Sequence, residues 1–512
     1  MASNSRTFYA KRNMWTGVIN RVIILGLPFV IRTIIIHVLG TEYLGLSSLF
    51  SSILQVLNMT ELGFSAAVVF SLYKPIAEKN TEEICALMLF YRNVYKIIGV
   101  IIFGLGSALM PFLPRLIHGS YPSDVNLYVL YLIYLVNTSI SYFAFAYKNV
   151  LFSASQRQDV LNNINSIVSM VKFCIQIAVL ILTKNYYNFL LCNVIATCIE
   201  NLFVAWKTKK EFPEYLCKGR IKKEKKREIT KQIKGLAIGQ LTKVSRNSFD
   251  SIVLSMYCGL IEVAVYSNYY YVFNAVIGIL GIITSSINAG IGNSIVVESV
   301  EKNYSDFRKF YFFFSWIGVF CTTCFFCMYQ PFMNLWVGEK YTAPDFTMIL
   351  FCCYFWIFQC CLLRSVYANA AGVWWETRWV QIGEMIGNLL LNFVLGYYWG
   401  MNGILLATIF TLGIFCVIGQ TKVLFDVYFK HNFLEYVKDT VRYSVYAFLI
   451  AAATGKLVEF LEADNIFMLA VRLLAVSVIS NTLFVLISSP NQRQRTYFKK
   501  LYILLTARRS KA

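Results

Sequence analysis

The sequence predicts an all-α polytopic membrane protein of about 14 transmembrane helices, and three observations predict it. The 512-residue chain is 57% hydrophobic and only 14% charged, where a soluble domain carries about 25% charged residues. Its apolar residues gather in runs of about 20 or more, the length a helix needs to cross a bilayer. Its basic residues sort to one side of those runs, which is how a chain encodes its orientation in a membrane.

The runs lie near 13–39, 42–72, 84–111, 123–147, 160–183, 186–206, 235–257, 262–293, 309–332, 345–370, 379–399, 402–425, 440–458 and 466–488. The first follows Arg6, Lys11 and Arg12. It is too long for a signal-peptide core and has no small-residue cleavage site. The second and eighth are long enough to tilt or to extend past the bilayer. With the N-terminus cytoplasmic, only Arg115, Lys184, Lys340 and Lys456 of the 47 Lys and Arg fall in external segments. Nine lie within spans: Arg21, Arg32, Arg92, Lys96, Lys172, Lys243, Arg246, Arg364 and Arg472. The bias places both termini in the cytoplasm.

Composition also excludes. The net charge of +20 does not indicate nucleic acid, because the cations are sorted by membrane side rather than gathered on one folded face. The 14 cysteines sit almost wholly within spans, as small apolar filler, and no disulfide is expected. Cys321, Cys324 and Cys327 have a metal-like spacing, but Phe320, Phe325 and Phe326 surround them, and no metal or cofactor is expected. No loop is long enough for a soluble domain and no Walker A pattern occurs. Direct use of ATP is thereby excluded. The histidines His37, His118 and His431 lie near membrane edges and far apart, which argues against an embedded acyl- or glycosyltransferase.

The largest polar segment, 207–234, divides the chain. The expected organisation is an N-lobe of six spans (1–206), a basic cytoplasmic linker (207–234), a C-lobe of six spans (235–430), two further spans (431–490) and a basic cytoplasmic tail (491–512). The linker's cations suit anionic lipid head groups. A short internal repeat supports two lobes: Leu39-Gly40-Thr41-Glu42-Tyr43-Leu44-Gly45-Leu46-Ser47 resembles 258–267, Cys-Gly-Leu-Ile-Glu-Val-Ala-Val-Tyr-Ser, with one insertion. An even number of spans per half gives parallel repeats about a pseudo-two-fold axis along the membrane normal.

The candidate site residues are charges at membrane depth. An arginine there costs roughly 2.5–3.5 kcal/mol to insert and marks a functional position. Arg21 and Arg32 are 11 residues apart, close to three helical turns, so both point the same way. Pro28 between them frees a carbonyl and makes a candidate hinge. Lys243, Arg246 and Asp250 share one face of the seventh span. Lys172 lies mid-span, with Gln176 one turn on, and Arg364 lies in the cytoplasmic half of the tenth span. Glu61, Asp250 and Glu384 are carboxylates that could bind a coupling H⁺ or Na⁺, or pair with cations: Glu61 with Arg21, Asp250 with Arg246. Asn137, Gln176 and Asn288 could serve sugar hydroxyls.

The pattern Arg32, then residues 39–46, then Glu61-Leu62-Gly63-Phe64-Ser65-Ala66 and Tyr73-Lys74-Pro75 resembles the start of the bacterial Wzx-type polysaccharide flippases. These belong to the multidrug/oligosaccharidyl-lipid/polysaccharide exporter superfamily. The span layout covers the whole chain; the residue-level likeness is concentrated in the first 100 residues. The resemblance implies a plasma-membrane flippase that moves undecaprenyl-diphosphate-linked oligosaccharide from the cytoplasmic to the external leaflet for cell-surface polysaccharide. It implies two six-helix lobes around a cationic cavity, polymerase or assembly partners, and no enzymatic step. Arg21, Arg32, Lys172, Lys243, Arg246 and Arg364 would then hold the diphosphate. A peptidoglycan-precursor flippase and a cation-coupled drug antiporter of the same superfamily are the alternatives. The antiporter fits less well, since cationic cargo calls for acidic residues and the first span has none.

Overall fold

The computed structural model describes residues 26–61, 64–492 and 494–498. The described elements are helical, and each expected span falls on helix where it is described. In order they are α1 (Gly26–Val38), α2 (Thr41–Leu57), α3 (Phe64–Ala77), α4 (Thr81–Leu109), α5 (Leu127–Phe143), α6 (Asn149–Ala154), α7 (Gln158–Thr183) and α8 (Tyr186–Glu211). There follow α9 (Lys223–Cys258), α10 (Leu260–Val297), α11 (Val300–Val337), α12 (Asp345–Ala370), α13 (Arg378–Thr411), α14 (Thr421–Leu424), α15 (Phe433–Leu457) and α16 (Ile466–Ser488). Among the described residues, eight helices are long and apolar enough to cross a membrane unaided, nine if the bent pair at α5 and α6 is one span.

Local chemistry starts these helices. Asn80, Asn126, Asn185, Ser299, Asn432 and Asn465 each accept a backbone N–H of the first turn, at α4, α5, α8, α11, α15 and α16. A side-chain oxygen at that position satisfies a donor that has no intrahelical partner. Apolar side chains cover the outside: Leu182, Phe448 and Ile466 are 82%, 74% and 82% exposed, as helices facing lipid require.

Three breaks interrupt the expected spans. The long second run is two helices, α2 and α3, with a 3₁₀ turn at Asn58–Glu61 between them. The fourth bends by 48° between Leu127–Phe143 and Ala146–Ala154, where Phe145 takes φ 55°. The eleventh and twelfth are joined within α13 at Gly400, whose φ 53° and ψ −131° suit glycine alone. The basic segment 207–234 is helical at both ends, because α8 runs to Glu211 and α9 begins at Lys223.

The chain divides into two compact units after Ala264. In the first, α2 packs on α9, α4 on α5 and α7 on α8. Close approach depends on small residues: a Cβ at Gly45 would stand 2.2 Å from the Leu260 carbonyl oxygen, and one at Gly106 2.4 Å from Leu135. The second unit is centred on α11, which packs on α12, α15 and α16 around an aromatic core including Phe307, Tyr311, Phe312, Tyr367 and Phe425. The internal repeat has a structural counterpart. Gly40 (φ 118°, ψ 166°) and Gly259 (φ 86°, ψ −178°) each stand between two helices in the same glycine-only conformation.

Candidate functional site

In the first unit, α1 carries Arg32 four residues after Pro28. Arg32 is half-buried, and its charge reaches the Tyr186 hydroxyl of α8. Tyr186 belongs to a buried hydroxyl cluster. Its OH meets the Tyr134 OH at 2.9 Å and donates to the Tyr43 carbonyl at 3.4 Å, while Tyr134 donates to Ser47 at 2.9 Å. Arg21 lies outside the described residues. What can be built here is a guanidinium within electrostatic reach of hydroxyls from three helices, Ser47, Tyr134 and Tyr186, able to bind an anion or the hydroxyls of a sugar.

Glu61, on the turn that breaks the second span, meets two phenols; Arg21, its expected partner, lies outside the described residues. Tyr95 of α4 donates to Oε1, and Tyr142 of α5 donates to Oε2 at 2.8 Å. Tyr142 also lies 3.3 Å from the Asn58 side-chain carbonyl. Tyr91, Tyr95 and Tyr142 line this cage with successive ring centroids 4.4 and 5.2 Å apart.

On α9, Asp250 is buried and Arg246 half-buried. Both have interaction partners; the Lys243 side chain is outside the described residues. Ser248 donates to Gln55 of α2 at 3.1 Å, which sets the register of that helix pair. Lys172 of α7 is half-buried, with its ammonium 4.5 Å from the Phe173 ring centroid and within electrostatic reach of Glu200 on α8. Glu200 accepts from Asn165 at 3.2 Å. Gln176 donates to the Phe189 carbonyl at 3.1 Å, and Asn137 accepts from Thr197 at 2.9 Å. Both therefore bond across neighbouring helices. Asn288 is exposed.

In the second unit, Arg364 and Glu384 are brought together. Arg364, 6% exposed, donates to Gln420 Oε1 at 2.8 Å and to Cys416 Sγ at 2.9 Å. Gln420 then donates to Glu384 Oε2 at 2.9 Å. Gln420 ends a π-helical stretch, Leu412–Gln420, a distortion often found at functional positions. Polar contact continues along α13: Asn388 donates to Thr408 and Thr411 at 3.2 and 3.3 Å, and Asn392 to Asn388 at 3.3 Å. A separate groove of 890 Å³, lined by residues such as Phe326, Trp356, Ile357, Val417 and Phe448, carries no charged side chain. It suits hydrocarbon rather than a diphosphate.

Residue-by-residue reading missed Glu200, Gln420, Tyr95 and Tyr142. Glu200 carried a signal, a carboxylate inside the sixth run. The tyrosines carried none, because phenols are ordinary in apolar spans until a carboxylate is placed beside them.

Among the described residues no group of three His, Cys, Asp or Glu converges on a metal position. Apolar helices of membrane-crossing length with charges buried among them define a multi-pass membrane protein. Solved structures carry the same fold. The lipid II flippase MurJ in an inward closed conformation superposes with TM-score 0.64 at 14% identity, covering 94% of this chain and 99% of that one. An inward-facing multidrug resistance MATE family transporter of the MOP superfamily gives 0.63 at 13%, covering 79% and 94%. The Vibrio cholerae MATE transporter VcmN gives 0.57 at 13%, covering 82% and 96%. No curated protein matches the sequence. A family model described as polysaccharide biosynthesis protein matches residues 11–289, more than half of the chain, and the chain belongs to that family.

Proposed function

We propose that this protein is a flippase that carries an undecaprenyl-diphosphate-linked oligosaccharide from the cytoplasmic to the external leaflet by alternating access. The observation that carries the reading is membership of a polysaccharide biosynthesis family by a chain with a flippase and exporter fold. The chemistry agrees. The cargo head is anionic, and guanidinium groups offer paired donors to phosphate oxygens. Arg32 beside the Tyr43, Tyr134 and Tyr186 cluster is the best-supported contact, with Arg21, Lys243 and Arg246 as further cations. Lys172 stands opposite Glu200 and Arg364 within a bonded network, so both serve the scaffold first. Pro28 is the proposed hinge of the first span. Polymerase or assembly proteins of the same pathway are the expected partners, and the bacterial plasma membrane the expected location.

A peptidoglycan-precursor flippase is the second reading. One observation favours it: the likeness to MurJ covers 94% of the chain, against 79% for the MATE transporter of nearly equal TM-score.

The test is the pool of lipid-linked intermediates in cells with and without the protein, with Arg32→Ala and Arg21→Ala alongside. The proposal expects a diphosphate-linked repeat unit to accumulate without the protein, and with either variant. Accumulation of the peptidoglycan precursor instead supports the second reading. An unchanged pool with altered resistance to cationic drugs rejects both in favour of the antiporter.

A further inference from the structure

α7 and α8 each have two unlike faces. On α7, Ile167, Val171 and Leu182 are 64%, 55% and 82% exposed, an apolar outer face suited to lipid. Asn162, Asn165, Ser169 and Lys172 follow one another at spacings of three and four residues, and all are half-buried. At about 100° per residue they lie on the side opposite those aliphatic residues. α8 repeats the division. Ile195, Leu202 and Trp206 are each 58% exposed, while Asn193, Thr197 and Glu200 are half-buried on the opposite side.

The two polar stripes meet. Asn165 donates to Glu200 at 3.2 Å, and Lys172 is within electrostatic reach of the same carboxylate. α5 joins through Asn137, which accepts from Thr197 at 2.9 Å. In this antiparallel pair the Asn165–Glu200 bond sets Ser169 level with Thr197 and Lys172 level with Asn193. Among the described residues, neither Ser169 nor Asn193 has a hydrogen-bond partner.

Helix pairing alone does not call for this pattern. Polar groups that serve only to join membrane helices are spent on one another. Here the stripe stays half-open on the side away from lipid, and two of its members are unspent. A polar side chain at membrane depth that meets neither lipid nor protein meets water or a polar ligand. From Asn162 to Lys172 the seam rises about 15 Å, half of a hydrocarbon core of about 30 Å.

Its chemistry selects the ligand. One ammonium stands against one carboxylate, so the seam is neutral, and the rest is amide and hydroxyl. Amides both donate and accept, as sugar hydroxyls do. A diphosphate would be repelled by Glu200. Tyr186, which Arg32 reaches, lies seven residues before Asn193 on the same face of α8, about 10 Å along the axis. A cation for phosphate and a neutral seam for hydroxyls thus follow one another on one helix face.

We propose that the seam between α7 and α8 is a carbohydrate subsite, in which Ser169 and Asn193 bind sugar hydroxyls of the cargo while Arg32 serves its diphosphate. The subsite rests on the flippase reading above.

The test is native mass spectrometry of the purified full-length protein with two probes, undecaprenyl diphosphate alone and the same lipid carrying the oligosaccharide extracted from host cells. The wild type should bind the glycosylated lipid at least tenfold more tightly. Ser169→Leu and Asn193→Leu should each lose about tenfold of that affinity, the scale of one hydrogen bond, and bind the bare lipid as the wild type does. Arg32→Ala should weaken both. Melting temperatures confirm that the variants are folded. Equal binding of the two lipids by the wild type, an unchanged preference in either variant, or equal loss of both lipids in the leucine variants overturns the subsite and leaves the flippase reading standing. Failure of the wild type to bind either lipid overturns both.

Discussion

Arg364 holds a full charge at 6% exposure inside the second unit, and its hydrogen-bond acceptors come from sequence positions 52 and 56 residues away, Cys416 and Gln420. Removing one member of a buried charge network leaves the other uncompensated and costs about 3–5 kcal/mol, whereas replacing both by apolar groups is often nearly neutral. Arg364→Met should therefore lower the melting temperature in detergent by several degrees, and Arg364→Met with Glu384→Leu should recover much of the loss. If the double variant is no more stable than the single one, Gln420 does not couple the two charges. The cation itself was legible in the sequence, because a charge in an apolar run is conspicuous. Its partner was not: which helix supplies Gln420 to Arg364, or Tyr142 to Glu61, is decided by packing between distant segments. Arg32 shows the same division, since its depth is read from the run while its nearness to Tyr186 depends on where α8 lies.

At the scale of elements, hydropathy located the spans well because crossing length is set by bilayer thickness. It did not resolve breaks inside them. Residues 42–72 read as one long run, yet the chain turns at Asn58–Glu61, because a 3₁₀ turn of four residues barely alters mean hydropathy. The hairpin at Gly400 was equally silent. It forces close approach: a Cβ on Gly403 would stand 1.9 Å from the Leu395 carbonyl oxygen. Backbone cannot yield as a side-chain tip can, so Gly403→Ala should cut the yield of folded protein and lower its melting temperature. Gly281 is the control. It lies within α10 in open space, with nothing within 4 Å of where a Cβ would stand, and exchanging a helical glycine for alanine gains about 0.5–1 kcal/mol. Gly281→Ala should therefore melt at or above the wild type. A Gly403→Ala protein as stable as Gly281→Ala would show that the hairpin is looser than its backbone contact implies.

For the whole molecule, the distribution of lysine makes orientation measurable without altering the chain. Lys184, Lys340 and Lys456 are exposed and belong to the segments assigned to the outside. Lys209, Lys222 and Lys302 are equally exposed and belong to the cytoplasmic ones. A membrane-impermeant amine reagent applied to intact cells, followed by peptide mass spectrometry, should modify the first three and spare the second until the membrane is opened. The reason is energetic as well as statistical, since positively charged segments flanking the spans are retained on the cytoplasmic side. The direction proposed for transport has a separate energetic support. With the potential negative inside, outward movement of an anionic head group is favoured by about 2.3 kcal/mol per charge per 100 mV. The proposed flippase can therefore draw on the potential for export, whether or not a coupling cation contributes. The reverse labelling pattern would place the basic connection between α8 and α9 outside and overturn the assignment of the cytoplasmic face.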